Sequence, residues 1–140
     1  RSEGRIDPRE GVESLVERSR RAGMDVEVRY KQGAGPQSLA ELSTMAGHAV
    51  NRAVQEGLTN ARKHAPGEPV TITIATLADA LSITMSNPVA PAGKKESGNS
   101  GGYGIVGMRE RASVVGGSLQ VNDEDDRFSW TLRLPRKEVQ

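Results

Sequence analysis

Glu56, Asn60, Lys63 and His64 fall at i, i+4, i+7 and i+8 of one apolar-periodic stretch. At 3.6 residues per turn this spacing places all four on one continuous helical face, beside the apolar stripe of Val50, Val54, Leu58 and Ala61. A carboxylate, an amide oxygen, an ammonium and an imidazole so arranged suit a magnesium-bound polyphosphate. The amide oxygen is a hard ligand for Mg²⁺, Lys63 and His64 can meet phosphate oxygens, and the Glu56 carboxylate can orient or deprotonate a nucleophile. Taken alone, a solvated face of mixed charge explains the same four residues more simply.

A second group lies about forty residues on. Gly102-Tyr103-Gly104-Ile105-Val106-Gly107 matches G-x-G-x-x-G and opens a helical pattern, so unpaired backbone N–H groups at a helix N-terminus can cradle a phosphate. A dinucleotide-binding fold would need a buried strand leading into the first glycine, whereas Ser97 to Gly101 is a polar, glycine-rich approach. The Walker A pattern is absent. A flexible loop before a capped helix is the plain alternative.

The elements that must position these groups are legible in the periodicity. Asp7 as N-cap, Pro8 at the first helical position and Glu10 in capping-box register predict a helix with Val12, Leu15, Val16 and Ala22 on its apolar face, stopped at Gly23. Met24 to Lys31 alternates as a strand, and Gln32 to Gln37 reads as a loop. The second helix starts at Leu39 or Ser43 and ends at Ala65, before Pro66-Gly67. Val70 to Ile74 and Leu81 to Met85 predict an antiparallel strand pair joined by Leu77 to Ala80. From Asn87 to Gly104 the periodicity disappears, as in a lid or a disordered segment. A third helix over Gly104 to Val115 stops at Gly116-Gly117, and a closing hairpin follows around the turn Asn122 to Asp126. This order predicts an α+β, two-layer sandwich: a mixed, mostly antiparallel sheet covered on one face by about three helices.

Composition narrows the function classes. Nineteen Lys and Arg against eighteen Asp and Glu, interspersed rather than clustered, argue against a nucleic-acid partner. The absence of cysteine excludes a disulfide framework and a thiolate metal site and points to cytoplasmic chemistry. No apolar run approaches the roughly 20 residues that span a bilayer. The N-terminal Arg1-Ser2-Glu3-Gly4 is neither an initiator nor a signal sequence, so a soluble fragment of a longer protein is expected.

Taken together, Glu56-x-x-x-Asn60-x-x-Lys63-His64-Ala65, two strands, a lid, and Gly102-x-Gly104-x-x-Gly107-Met108-Arg109-Glu110-Arg111 resemble the N box and second glycine box of bacterial two-component sensor histidine kinases. The match is to the GMRER-containing, NarX/DesK-like subgroup, within the superfamily of the Bergerat ATP-binding fold. The resemblance extends over nearly the whole chain, including Arg20 to Val26 and Leu132 to Pro135. It implies a single ATP-binding catalytic domain over residues 1–140 with an ATP lid at 88–104. ATP and Mg²⁺ are its implied ligands, with Asn60 holding the metal and Glu56 acting as general base or hydrogen-bond organiser. Lys63 and His64 would lie near the phosphates, and backbone amides from Gly104 through Ile105, Val106 and Gly107 to Met108 would serve as donors. Gly102 and Tyr103 would complete the phosphate loop.

Relatives carry Asp-x-Gly-x-Gly where this chain has Asn87-Pro88-Val89-Ala90-Pro91, so Asn87 would take the Asp position at the adenine amino group without its charge. The implied partners are the parent's own dimeric phosphoacceptor hairpin and, through the full-length kinase, a response regulator. The parent would be a homodimer, with or without membrane attachment, and the isolated domain a monomer. Only His48 and His64 are present, and neither has the acidic flank of an acceptor motif, so autophosphorylation of the isolated domain is not expected. Two rivals remain: an interaction module of the same fold without kinase activity, and an anti-sigma-type serine kinase, which the Met108 to Arg111 continuation disfavours.

Overall fold

The computed structural model describes residues 8–89, 104–124 and 126–136. Helix α1 (Pro8–Arg21) leads into strand β1 (Val26–Lys31), a 3-10 helix (Pro36–Glu41) and the long helix α2 (Thr44–His64). Strands β2 (Val70–Thr76) and β3 (Ala80–Pro88) follow, then α3 (Ile105–Val114), β4 (Ser118–Glu124) and β5 (Arg127–Pro135). The five strands form one sheet in the order β1-β2-β3-β5-β4. Only β1 and β2 run parallel, since a helix crossover joins them, and the other three pairings are antiparallel. This is the α+β sandwich expected from the element order.

Alternation in the strands decides where the core sits. Val70, Ile72 and Ile74 of β2, Leu81, Ile83 and Met85 of β3, and Phe128, Trp130, Leu132 and Leu134 of β5 are all buried. Their neighbours Thr71, Thr73, Thr84, Ser86, Ser129 and Thr131 stay partly exposed on the other face, where Thr84 and Thr131 share a 2.9 Å hydrogen bond across strands. The helices cover the apolar face. Val50, Val54, Leu58 and Ala61 of α2 join that core, each aliphatic side chain contributing about 1.5–3 kcal/mol if fully buried.

The helix ends follow local chemistry. Ser43 caps α2, its Oγ accepting from the Ala46 amide at 3.1 Å. Gly23, at φ +100°, ends α1 as expected, with the Met24 amide donating to the Ser19 carbonyl at 3.0 Å. The Arg20 guanidinium then donates through Nε (3.0 Å) and Nη2 (2.8 Å) to the Val26 carbonyl, fastening α1 to the start of β1. Gly116, at φ +81°, closes α3 similarly, and the Gly117 amide reaches the Ala112 carbonyl at 2.8 Å.

Three boundaries differ from the sequence expectation. Leu39 belongs to the 3-10 helix, which starts at Pro36 inside the expected loop, so α2 begins after Ser43. A proline at the first position and the Ser38 hydroxyl, accepting from the Gly35 amide at 2.8 Å, stabilise a turn too short to show periodicity. Strand β3 runs through Asn87 and Pro88, paired with Phe128 and Arg127, where sequence periodicity had already been lost. The closing hairpin is tighter than expected, its strands pairing as far as Glu124 with Arg127.

Candidate functional site

The flank of α2 between its buried face and its solvent-exposed face of Met45, His48, Arg52, Gln55 and Arg62 carries the chemistry. Glu56 and Asn60 are half-buried, whereas Lys63 and His64 are exposed in its last turn. Asn60, Ala61 and His64 line one wall of a small pocket that opens to solvent. Its floor and far wall come from Met85 and Asn87 of β3, Val89, and Phe128 and Trp130 of β5. Gly57 makes the pocket's inner edge possible: a Cβ there would run into Met85 Sδ and lie 3.0 Å from the Trp130 ring.

At the other side of the same helix face, Glu56 meets the start of α3. Gly104 precedes that helix with φ +68°, in the left-handed region, and any Cβ on it would collide with Glu56 Oε1 and stand 3.0 Å from Glu56 Cδ. The glycine is thus needed twice, for its dihedral angle and for the close approach of a carboxylate. Among the described residues no side chain caps α3, so the first-turn amides of Ile105, Val106 and Gly107 have no acceptor within the helix and form an electropositive end. Ile105 and Met108 are buried and anchor α3 in the core, while Val106 is exposed. Arg111, one turn on, lies over Gly107 (Nη1 3.4 Å from a Cβ built there) and places Nη2 3.8 Å from Glu56 Oε2. Both Glu56 Oε1 and Arg111 Nη2 are sealed from water without a hydrogen-bond partner. A buried acceptor and a buried donor left open beside a helix N-terminus are the features a phosphate site would use.

The structure therefore gathers Asn60 and His64 of α2 with Asn87 of β3 around the pocket, and one turn back along α2 it seats Glu56 against Gly104 at the start of α3. Lys63 is exposed and does not line the pocket. Gly102 and Tyr103, and residues 90–103 of the expected lid, lie outside the described residues, as does Asp7. Asn87 is 6% exposed, its Nδ2 donating to the Pro88 carbonyl at 3.1 Å.

Comparison with known proteins bears on this arrangement. The chain is 32% identical over 76 residues to the sensor histidine kinase LnrJ of Bacillus subtilis, covering 54% of this chain. It is 28% identical over 111 residues to the sensor histidine kinase DesK of the same organism, covering 79% of this chain. It spans only 18% and 29% of the lengths of those two relatives. No protein-family model matches. Among solved structures, a nucleotide-free catalytic domain of histidine kinase ThkA superposes with a TM-score of 0.69, covering 95% of this chain and 97% of that one at 11% identity. A second nucleotide-free form gives the same TM-score over 94% of each chain. The fold is that of a histidine kinase catalytic domain.

Within that fold, sequence reasoning missed Gly57, Met85, Phe128, Trp130 and Arg111. Gly57 left a signal, because a glycine inside a strong helical pattern calls for a packing reason. Arg111 belonged to a quoted motif without any role attached to it. The three large apolar residues were read correctly as core, and nothing in their alternation marks them as pocket walls.

Proposed function

We propose that this domain binds Mg·ATP and donates the γ-phosphoryl group to a histidine on a helical hairpin elsewhere in its parent protein, as a sensor histidine kinase of the GMRER-containing subgroup. The observation that carries this reading is the Glu56 carboxylate seated against Gly104 at the uncapped start of α3, next to the pocket containing Asn60, His64 and Asn87. The base would enter the pocket against Met85, Phe128 and Trp130, and the phosphates would reach the α3 amides from Gly104 to Met108.

Asn60 fits as one oxygen ligand of Mg²⁺. Among the described residues there is no group of three or more His, Cys, Asp or Glu able to hold a metal, so the ion would arrive largely on the nucleotide's phosphates. When bound, it would neutralise charge developing on the transferred group. Glu56 would accept a hydrogen bond from the attacking imidazole, orienting it or taking its proton. His64 and Lys63, at the cationic end of α2, would attract the polyphosphate. Positioning and charge neutralisation then account for the transfer.

The acceptor hairpin of the parent, a homodimer in this reading, and a response regulator downstream are the expected partners. The isolated domain would be a cytoplasmic monomer. No helix among the described residues is long and apolar enough to cross a membrane. Calorimetry with a non-hydrolysable ATP analogue, with and without Mg²⁺, tests the reading: we expect Mg²⁺-dependent binding that Asn60→Asp alters. Absence of binding, or binding indifferent to that substitution, would overturn it.

A further inference from the structure

The deepest polar group of the pocket is a carboxamide. Asn87 sits in β3 opposite Phe128, 6% exposed, with one Nδ2 hydrogen committed to the Pro88 carbonyl at 3.1 Å. Among the described residues the other polar side chains lining the pocket are Asn60 and His64, and none of the lining groups is a carboxylate. Its apolar lining, Met85, Phe128 and Trp130, carries no side-chain carboxylate or amide that would tell one purine from another.

A neutral amide has two unlike ends: an oxygen that accepts, and a nitrogen with a second hydrogen still to donate. A buried carboxylate offers acceptors alone, and would set two acceptors face to face against a 6-oxo purine. We propose that Asn87 makes this pocket tolerant of the purine 6-position, so that guanine and hypoxanthine nucleoside triphosphates bind alongside ATP; the inference rests on the nucleotide reading above. A 6-amino group donates to Asn87 Oδ1, and a 6-oxo group accepts from the second Nδ2 hydrogen. Each base gains one neutral hydrogen bond of similar worth, so the affinities differ by about tenfold or less. An acceptor-only side chain leaves the 6-oxo base facing an unpaired buried group, and discrimination should widen to about a hundredfold or more.

The test is calorimetric titration of the unmodified chain with the Mg²⁺ complexes of the β,γ-imido analogues of ATP, GTP and ITP, repeated on Asn87→Asp. We expect GTP and ITP analogues within about tenfold of the ATP analogue, and a ratio that rises at least tenfold in Asn87→Asp. Binding of the ATP analogue with the other two weaker by a hundredfold or more overturns the inference while leaving the nucleotide reading intact. An unchanged ratio in a folded Asn87→Asp removes Asn87 as the reader and overturns it equally. Should none of the three bind, it is the nucleotide reading itself that fails. ITP, lacking the 2-amino group of guanine, tests the 6-position on the unmodified chain even where Asn87→Asp does not fold.

Discussion

Helix α2 presses two polar side chains against glycines of its neighbours, Asn51 on Gly11 of α1 and Glu56 on Gly104 before α3. In both places a Cβ would overlap the polar group, and in both an oxygen is left sealed from water without a hydrogen-bond partner. The surroundings differ. Asn51 is 5% exposed, neutral, and lies against Gly11 between α2 and α1. Glu56 can carry charge, keeps 32% of its side chain exposed, faces an uncapped helix end and has Arg111 at 3.8 Å. One packing device thus gives a closed helix contact and, five residues along, a site with open valences. A buried unpaired amide costs about 1–3 kcal/mol and returns nothing visible, whereas an open carboxylate beside free helix amides is equipped for a ligand.

Substitutions at the two contacts should separate them. The largest effect is expected from Glu56→Gln, which keeps shape but loses the base. Transfer of labelled phosphate from ATP to the parent's acceptor hairpin should fall by about 10²- to 10⁴-fold, with nucleotide affinity within about threefold. Asn51→Ala should leave that transfer rate unchanged, and a comparable drop there would erase the distinction.

At the closed contact, Gly11→Ala forces a methyl group into the Asn51 amide and should cost about 1–3 kcal/mol in urea unfolding. Adding Asn51→Ala removes both the clash and the unpaired amide, so most of the loss should return, a coupling that two independent sites would lack. Gly104→Ala should cost about 1–2 kcal/mol for its left-handed dihedral angle. Unlike Gly11→Ala, it should also weaken nucleotide binding, read by calorimetry, because the methyl group displaces Glu56. The smallest stability change belongs to Arg111→Met. Its pairing with Glu56 is partly solvated, and thermal or urea melts should move by no more than about 1 kcal/mol.

Much of this arrangement was readable from residue spacing. Among the described residues the period-2 and period-3.6 patterns located the five strands and helices α1 and α2, because these bury apolar residues on a shared core, whereas α3 was bracketed by Gly104 and Gly116-Gly117. Asn60, Glu56 and the glycines were legible because their types and register name a chemistry. What periodicity could not give was proximity between elements far apart in sequence. Asn87 meets Phe128 and Trp130 through strand pairing, and Arg111 meets Glu56 where Gly104 leaves room for the carboxylate at the start of α3. The Pro36–Glu41 turn and the extension of β3 to Pro88 were hidden for a related reason, since prolines and short polar stretches carry no repeat.

If the nucleotide reading holds, one face of α2 and the beginning of α3 bind a single ligand between them. A backbone-amide NMR titration with the Mg²⁺ complex of a non-hydrolysable ATP analogue tests it residue by residue. Resonances of residues 56–64, Asn87 and 104–108 should shift together along one saturation curve, while Gly11 and Asn51 stay in place. Shifts confined to α1 or to the hydroxyl-bearing face of the sheet, with 104–108 unmoved, would contradict it.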